Sequence, residues 1–189
     1  MARKFTRVSE DAFKEIQLEA GLILNKFDPT GTTEVADTDI VCATTGGIEV
    51  SCKATYSDYG EDIDNVPTNM IEFKQLDGWE CTMAFTALNA SADVIKLALG
   101  AADVAENKIT PRMTLDATKD AADIWWVGDR SDGGFVAVKL AKALSTEGVT
   151  LKTSKKGKGQ LSCTLTGHVS IAAQDVVPME FYVSAGETV

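Results

Sequence analysis

The chain has 189 residues, 44% of them hydrophobic and 24% charged, the composition of an ordinary globular domain able to bury a core of its own. A formal charge of −10 opposes tight binding to nucleic acid, because few cations are left over to displace the counterions of phosphate. No apolar run approaches the roughly 20 residues of a membrane span, and the basic stretch MARKFTRVSEDAF has no apolar run behind it, so neither a membrane span nor a secretory signal is expected.

Taken in chain order, Ser9 is the expected N-cap of a short helix, with Glu10 and Asp11 in its first turn and Phe13, Ile16 and Ala20 at helical spacing. AGLILNKF reads as a short strand, and DPTGTT (28–33) as a turn-rich breaker. Period-two alternation then takes over, the mark of half-buried strands. In GIEVSCKATYS, Ile48, Val50, Cys52, Ala54 and Tyr56 share one face, opposite Glu49, Ser51, Lys53, Thr55 and Ser57. YSDYGEDIDNVP follows, with Asp58, Glu61, Asp62 and Asp64 as four carboxylates within seven residues. In WECTMAFTAL, Trp79, Cys81, Met83, Phe85 and Ala87 form the apolar face, opposite Glu80, Thr82, Ala84 and Thr86.

One helix is expected at SADVIKLALG, capped by Ser91, favoured by Asp93 at its positive end and closed by Gly100. ADIWWVGD, GFVAVKLAKAL and MEFYVSA are further strands, and DRSDGG (129–134) is a turn between two of them. SKKGKG (154–159) is a hairpin loop. In QLSCTLTGHVSI, Leu161, Cys163, Leu165, Val169 and Ile171 face one way, and Ser162, Thr164, Thr166, His168 and Ser170 the other. The sum is a mainly β domain spanning 1–189, an antiparallel sandwich or open barrel with one packed helix and a second, short one near the N-terminus. A flexible N-terminal arm (about 1–10) and a C-terminal tail (about 184–189) flank it.

Enzyme chemistry finds little support. An EF-hand starting at Asp58 needs an oxygen ligand at its third position, glycine at its sixth and a carboxylate at its twelfth; the chain has Gly60, Ile63 and Asn69 there. Four acids crowded on one loop are not two carboxylates held across a cleft. His168 is the sole histidine, and no G-x-S-x-G elbow offers it a nucleophile. SKKGKG lacks the spacing of a phosphate-binding loop and leads into a strand. The four cysteines form no C-x-x-C pair and read as small hydrophobes in a reducing compartment. No catalytic residue, metal or cofactor is therefore expected. A loop of a dozen residues between two long strands is usually functional, and one with Tyr59, Ile63, Val66 and Met70 interleaved among acids reads as a protein-docking element.

The ordered pattern of a glycine pair and strand, YSDYGEDIDNVP, LDGWECTMAFTAL, the helix SADVIKLALG and a β half ending in GQLSCTLTGHVSI and VPMEFYVS resembles the major tail tube proteins of long-tailed, siphovirus-type bacteriophages, over roughly residues 12 to 185. The resemblance implies a virion subunit, made in the bacterial host cytoplasm, that stacks as hexameric rings into the tail tube. Its partners would be further copies of itself, the tape-measure protein and the tail initiator and terminator proteins, with DNA passing through the lumen without specific binding and no membrane involved. Glu49, Ser51, Thr55, Glu80, Thr82, Ser162, Thr164 and Thr166 are the expected lumen-facing residues, with Lys53 partnered by Glu80. The loop of about 58–70, through Asp58, Tyr59, Glu61, Asp62, Ile63 and Asp64, would dock on the next ring, with Lys155, Lys156 and Lys158 as its cationic counterpart. Other readings are the tube protein of a contractile tail or of a type VI secretion-like system, and a monomeric β-sandwich binding module.

Overall fold

A computed structural model describes residues 8–31 and 35–186. Much of the expected N-terminal arm (1–7) and the end of the C-terminal tail (187–189) therefore lie outside the described residues. The strands are β1 (Leu22–Leu24), β2 (Ile40–Cys42), β3 (Thr44–Asp58) and β4 (Lys74–Ala87), followed by the helix α1 (Ala92–Leu99). After it come β5 (Ala102–Ala105), β6 (Lys108–Pro111), β7 (Ala122–Asp129), β8 (Phe135–Ser145), β9 (Thr150–Lys152), β10 (Gln160–Thr166) and β11 (Met179–Ser184).

All pairings between these strands are antiparallel, as short connections between neighbours require. One layer runs β2-β1-β7-β8-β11 and the other β8-β10-β4-β3, with β9 beside β10. The strand β8 belongs to both. Its first half lies between β7 and β11, and its last residues, Leu144 and Ser145, pair with Thr166 and Leu165 of β10. The change of layer falls at a bulge where Lys142 adopts φ +45°. Asp123 holds it: one carboxylate oxygen accepts the Lys142 N–H at 3.0 Å, and the other pairs with Lys139 Nζ at 3.0 Å.

Between the layers lies a core drawn from most of the long elements. Ile23, Ile124, Val138, Leu140 and Met179 come from the first layer, and Cys81, Met83, Phe85, Leu161, Cys163 and Leu165 from the second. Val94 and Ala98 of α1 close one side. That helix forms where its residues predict it: the Ser91 hydroxyl accepts the Val94 N–H, and Gly100, at φ +76°, ends it. The Gly100 pro-side-chain position lies 2.6 Å from the Ser145 carbonyl oxygen, so the helix end sits directly on β8. A second cluster covers the far side of the first layer, where Leu24, Trp125 and Ala137 pack with Phe27, Phe135 and Tyr182.

Two expectations are corrected. The N-terminal helix is a single 3-10 turn, Glu10–Phe13, and both Phe13 and Ile16 are exposed, so no core face holds a longer helix together. The last long strand ends at Thr166, and Val169 and Ile171 are exposed rather than core-facing. Its alternation breaks at Gly167, whose missing side chain makes room for Leu140 and Pro178. The chain then crosses to β8, where the His168 N–H donates to Ala141 O. His168 thus leaves the polar strand face, with Nδ1 beside the Lys142 carbonyl at 3.3 Å.

Candidate assembly surface

The register of β3, β4 and β10 brings the expected lumen-facing residues together. Directly opposed residues in an antiparallel sheet point to the same face. Thr45, Thr86 and Ser162 form one cross-strand row, Glu49, Ala84 and Thr164 the next, and Ser51, Thr82 and Thr166 a third. Lys53 opposite Glu80 and Thr55 opposite Gly78 continue the face along the β3–β4 ribbon. All eight expected residues therefore occupy one sheet face, and none of them is buried. Small hydroxyls and two carboxylates dominate it. Lys53 has Glu80 as its direct cross-strand neighbour, an arrangement that favours opposite charges.

At one end of this face two glycines, Gly46 and Gly47, take φ of +79° and +87° in a bulge between Thr45 and Ile48. Nothing would obstruct a side chain there, so the backbone angle alone calls for glycine. The bulge frames a shallow depression of 410 Å³ lined by Glu49, Thr86, Ser162 and Thr164 among others.

The opposite face of the same ribbon divides in two. Near its base, Cys81, Met83, Phe85 and Ala87 are buried in the core. Beyond Cys81 the ribbon leaves the body of the protein: Trp79 is 42% exposed, Tyr56 58% and Leu76 45%. The alternation read from the sequence runs out to Trp79, a bulge then places Leu76 opposite Tyr56, and Leu76 and Trp79 border a depression shared with Val169, Val176 and Pro178, which leaves an apolar strip only partly covered. Among the described residues β3 pairs only with β4, so a strand of 15 residues presents an edge left open by them.

Residues 59–73 form the tip. Turns closed by Ile63 N–H to Gly60 O and Val66 N–H to Ile63 O shape it, and Tyr59 N–H donates to Phe73 O across its base. The acids of the loop divide into two kinds. Asp58 ends β3 and is taken up within the subunit, where it accepts the Gly60 N–H at 2.9 Å and pairs with Lys74 Nζ at 2.8 Å. Glu61, Asp62 and Asp64 are exposed, as are Tyr59 and Ile63. The Lys74 ammonium, and after it the Gly60 N–H, hold the Asp58 carboxyl below its ordinary 3.8. A lowered carboxylate pKa stabilises the loop base above 3.8 and ceases to do so as pH falls through the folded value. A carboxyl-carbon NMR titration should therefore give Asp58 a midpoint below 3.8, and the protection of the Tyr59 amide, its exchange rate relative to the intrinsic rate at each pH, should fall once Asp58 is protonated. An unshifted midpoint would show that the Lys74 contact does not persist in solution.

The basic loop, 153–159, connects β9 to β10, the hairpin read from the sequence. Lys155, Lys156 and Lys158 are all exposed. Its place relative to the acidic tip follows from the pairing. β4 begins at Lys74 beside the tip and ends at Ala87, which is opposite Leu161 at the start of β10. The acidic and basic loops thus project from opposite ends of one sheet, separated by a strand of 14 residues, or about 45 Å at roughly 3.3 Å per residue.

Neither tryptophan of the WW pair offers a stacking platform: Trp125 is buried against Phe27 and Tyr182, and Trp126 donates from Nε1 to Ala20 O at 2.9 Å. Among the described residues no cluster of His, Cys, Asp and Glu is arranged to hold a metal ion, and no helix is long and apolar enough to cross a membrane.

By fold the chain is a mainly β, antiparallel, sandwich-like protein with one packed helix. No family model matches it, and no curated protein does. Among solved structures it is similar to a chain of the virion of a native gene transfer agent particle and to a chain of the tail of an empty gene transfer agent particle with C6 symmetry. In both cases the identity is 11% and the TM-score 0.42, with 88% of this chain and 96% of that chain covered. So distant a likeness fixes neither fold detail nor role.

Proposed function

We propose that the chain is a structural subunit of a phage tail, polymerising as stacked hexameric rings into the tube through which tape-measure protein and DNA pass. The observation that carries the reading is the placement of an acidic loop and a basic loop at opposite ends of one sheet. A patch and its complement on opposite ends of one molecule make a head-to-tail contact, and head-to-tail contacts propagate along an axis. The polar face between them carries Glu49, the Lys53–Glu80 pair and hydroxyls, a weakly acidic surface that gives phosphate little to adhere to and so lets DNA pass. The open edge of β3 gives each ring a means of lateral closure. A monomeric binding module leaves both the open edge and the apolar strip of the ribbon without a role.

Electron microscopy of the purified, concentrated protein is the test. Hollow tubes are expected, with an axial repeat on the order of 45 Å, set by the length of β4. A protein that stays monomeric at every concentration, and is not recruited onto preformed tube ends, is a binding module instead.

A further inference from the structure

Cys52 and Cys81 face each other directly across the β3–β4 ribbon, with Sγ atoms 3.2 Å apart. Both are free thiols. The Cys81 carbonyl is turned away from β3, since it accepts the Gly167 N–H on the β10 side at 2.9 Å. In an antiparallel strand the N–H and C=O of one residue point to the same side, so Cys52 and Cys81 form a non-hydrogen-bonded pair. The alternation agrees at the other end of β4, where the Leu88 N–H donates to Ala43 O on the β3 side. Such pairs have Cα atoms about 4.5 Å apart, within the range a disulfide spans. The position is equally specific. Cys81 is fully buried at the edge of the core, and the next pairs outward, Lys53 with Glu80 and Ala54 with Trp79, belong to the part of the ribbon that leaves it.

We infer that Cys52 and Cys81 are a reversible thiol pair that closes into a cross-strand disulfide by exchange with a low-molecular-weight disulfide such as oxidised glutathione. Cys52 is only half-buried, whereas burial, and then the contact with Cys52, pushes the Cys81 thiol up to about 12. Cys52 is therefore the attacking group. It gives its proton to solvent, and its thiolate attacks one glutathione sulfur. A Cys52–glutathione bond forms, and the other glutathione leaves as a thiolate that takes up a proton. Cys81 then gives up its proton, attacks Cys52 Sγ and releases the second glutathione. Two protein thiols are oxidised to one disulfide, and one glutathione disulfide is reduced to two thiols. The product pins the ribbon where it emerges from the core. Its consequence for a tube rests on the function proposed above; its chemistry does not.

Cys42 and Cys163, held up at about 11 and about 12 by burial, serve as internal controls. Incubated with oxidised glutathione, then quenched and unfolded, the protein is expected to have lost two of its four titratable thiols. Proteolysis should release one linked peptide containing Cys52 and Cys81, and dithiothreitol should restore all four thiols. Cys52→Ser and, separately, Cys81→Ala should each form no internal bond. Retention of all four thiols, a link through Cys42 or Cys163, or a glutathione adduct that persists on Cys52 in the unmutated protein would each overturn the assignment. Thiol counting reads monomers and tubes alike, so failure to assemble and failure to form the bond are separate results.

Discussion

Replacing Leu165 by alanine is expected to lower the unfolding free energy by about 3 kcal/mol, within the roughly 2–5 kcal/mol typical of buried leucines. Leu165 is fully buried and stands opposite Met83 of β4 on one side and Ser145 of β8 on the other. It is therefore the residue through which the second layer meets the strand shared with the first. Truncation removes its own apolar contacts and leaves a cavity whose walls belong to three strands, and strands tied by backbone hydrogen bonds collapse poorly into a void. Urea denaturation should show a lower midpoint with an unchanged slope, because the area exposed on unfolding scarcely changes. Leu151→Ala, at an exposed position of β9, is the control and should move stability by less than about 0.5 kcal/mol. A Leu165 variant as stable as that control would mean that the layers are not close-packed at their junction.

Reversing Lys155, Lys156 and Lys158 to glutamate together is expected to abolish tube growth while leaving the folded subunit intact. All three are exposed on a hairpin loop, so stability should change little. The reversals take the formal charge from −10 to −16, three changes of −2 each, and set a negative loop against Glu61, Asp62 and Asp64 of the next subunit. On the function proposed above, attraction then becomes repulsion at the contact that would drive head-to-tail stacking. Sedimentation of the variant at about 0.15 M salt should show no polymer, and giving the tip the opposite charges, Glu61→Lys, Asp62→Lys and Asp64→Lys, should restore co-assembly. Raising salt to about 1 M, where the screening length falls to about 3 Å, should weaken assembly of the unmodified protein. Polymerisation of the lysine variant at the normal rate would refute the pairing.

The residues that alternate cleanly were legible as strands. β4 and β10 each bury one face at the core, and β3 rests its half-buried Ile48, Val50 and Cys52 against it, so Ile48 to Ala54, Cys81 to Ala87 and Leu161 to Leu165 show the pattern of the fold. Short strands without a buried face were not legible. β5 and β6 bury little beyond Ala102, and the three residues of β9 are all exposed, so neither leaves a trace in hydropathy. β8 gives no clean alternation because both its faces are covered and it changes layer midway. The polar face was legible as a set of residues, whereas its rows were not. A connection of 15 residues, 59–73, leaves the register of β3 against β4 open, and a slip would have separated Cys52 from Cys81 and Lys53 from Glu80. Nor did the charge pattern distinguish Asp58, which closes the loop, from Glu61, Asp62 and Asp64, which face outward; only the position of Lys74 across the ribbon does so.

The single strand common to both layers has a mechanical consequence. Since β8 is hydrogen-bonded into each layer and clamped by Asp123 where it crosses, a load applied to one layer passes through covalent backbone to the other. The layers cannot shear past each other without breaking that strand's pairing, so the subunit behaves as one stiff brick. On the function proposed above, any suppleness of a tube built from such subunits would have to come from the mortar: loops and side chains that slide between neighbours while each brick keeps its shape.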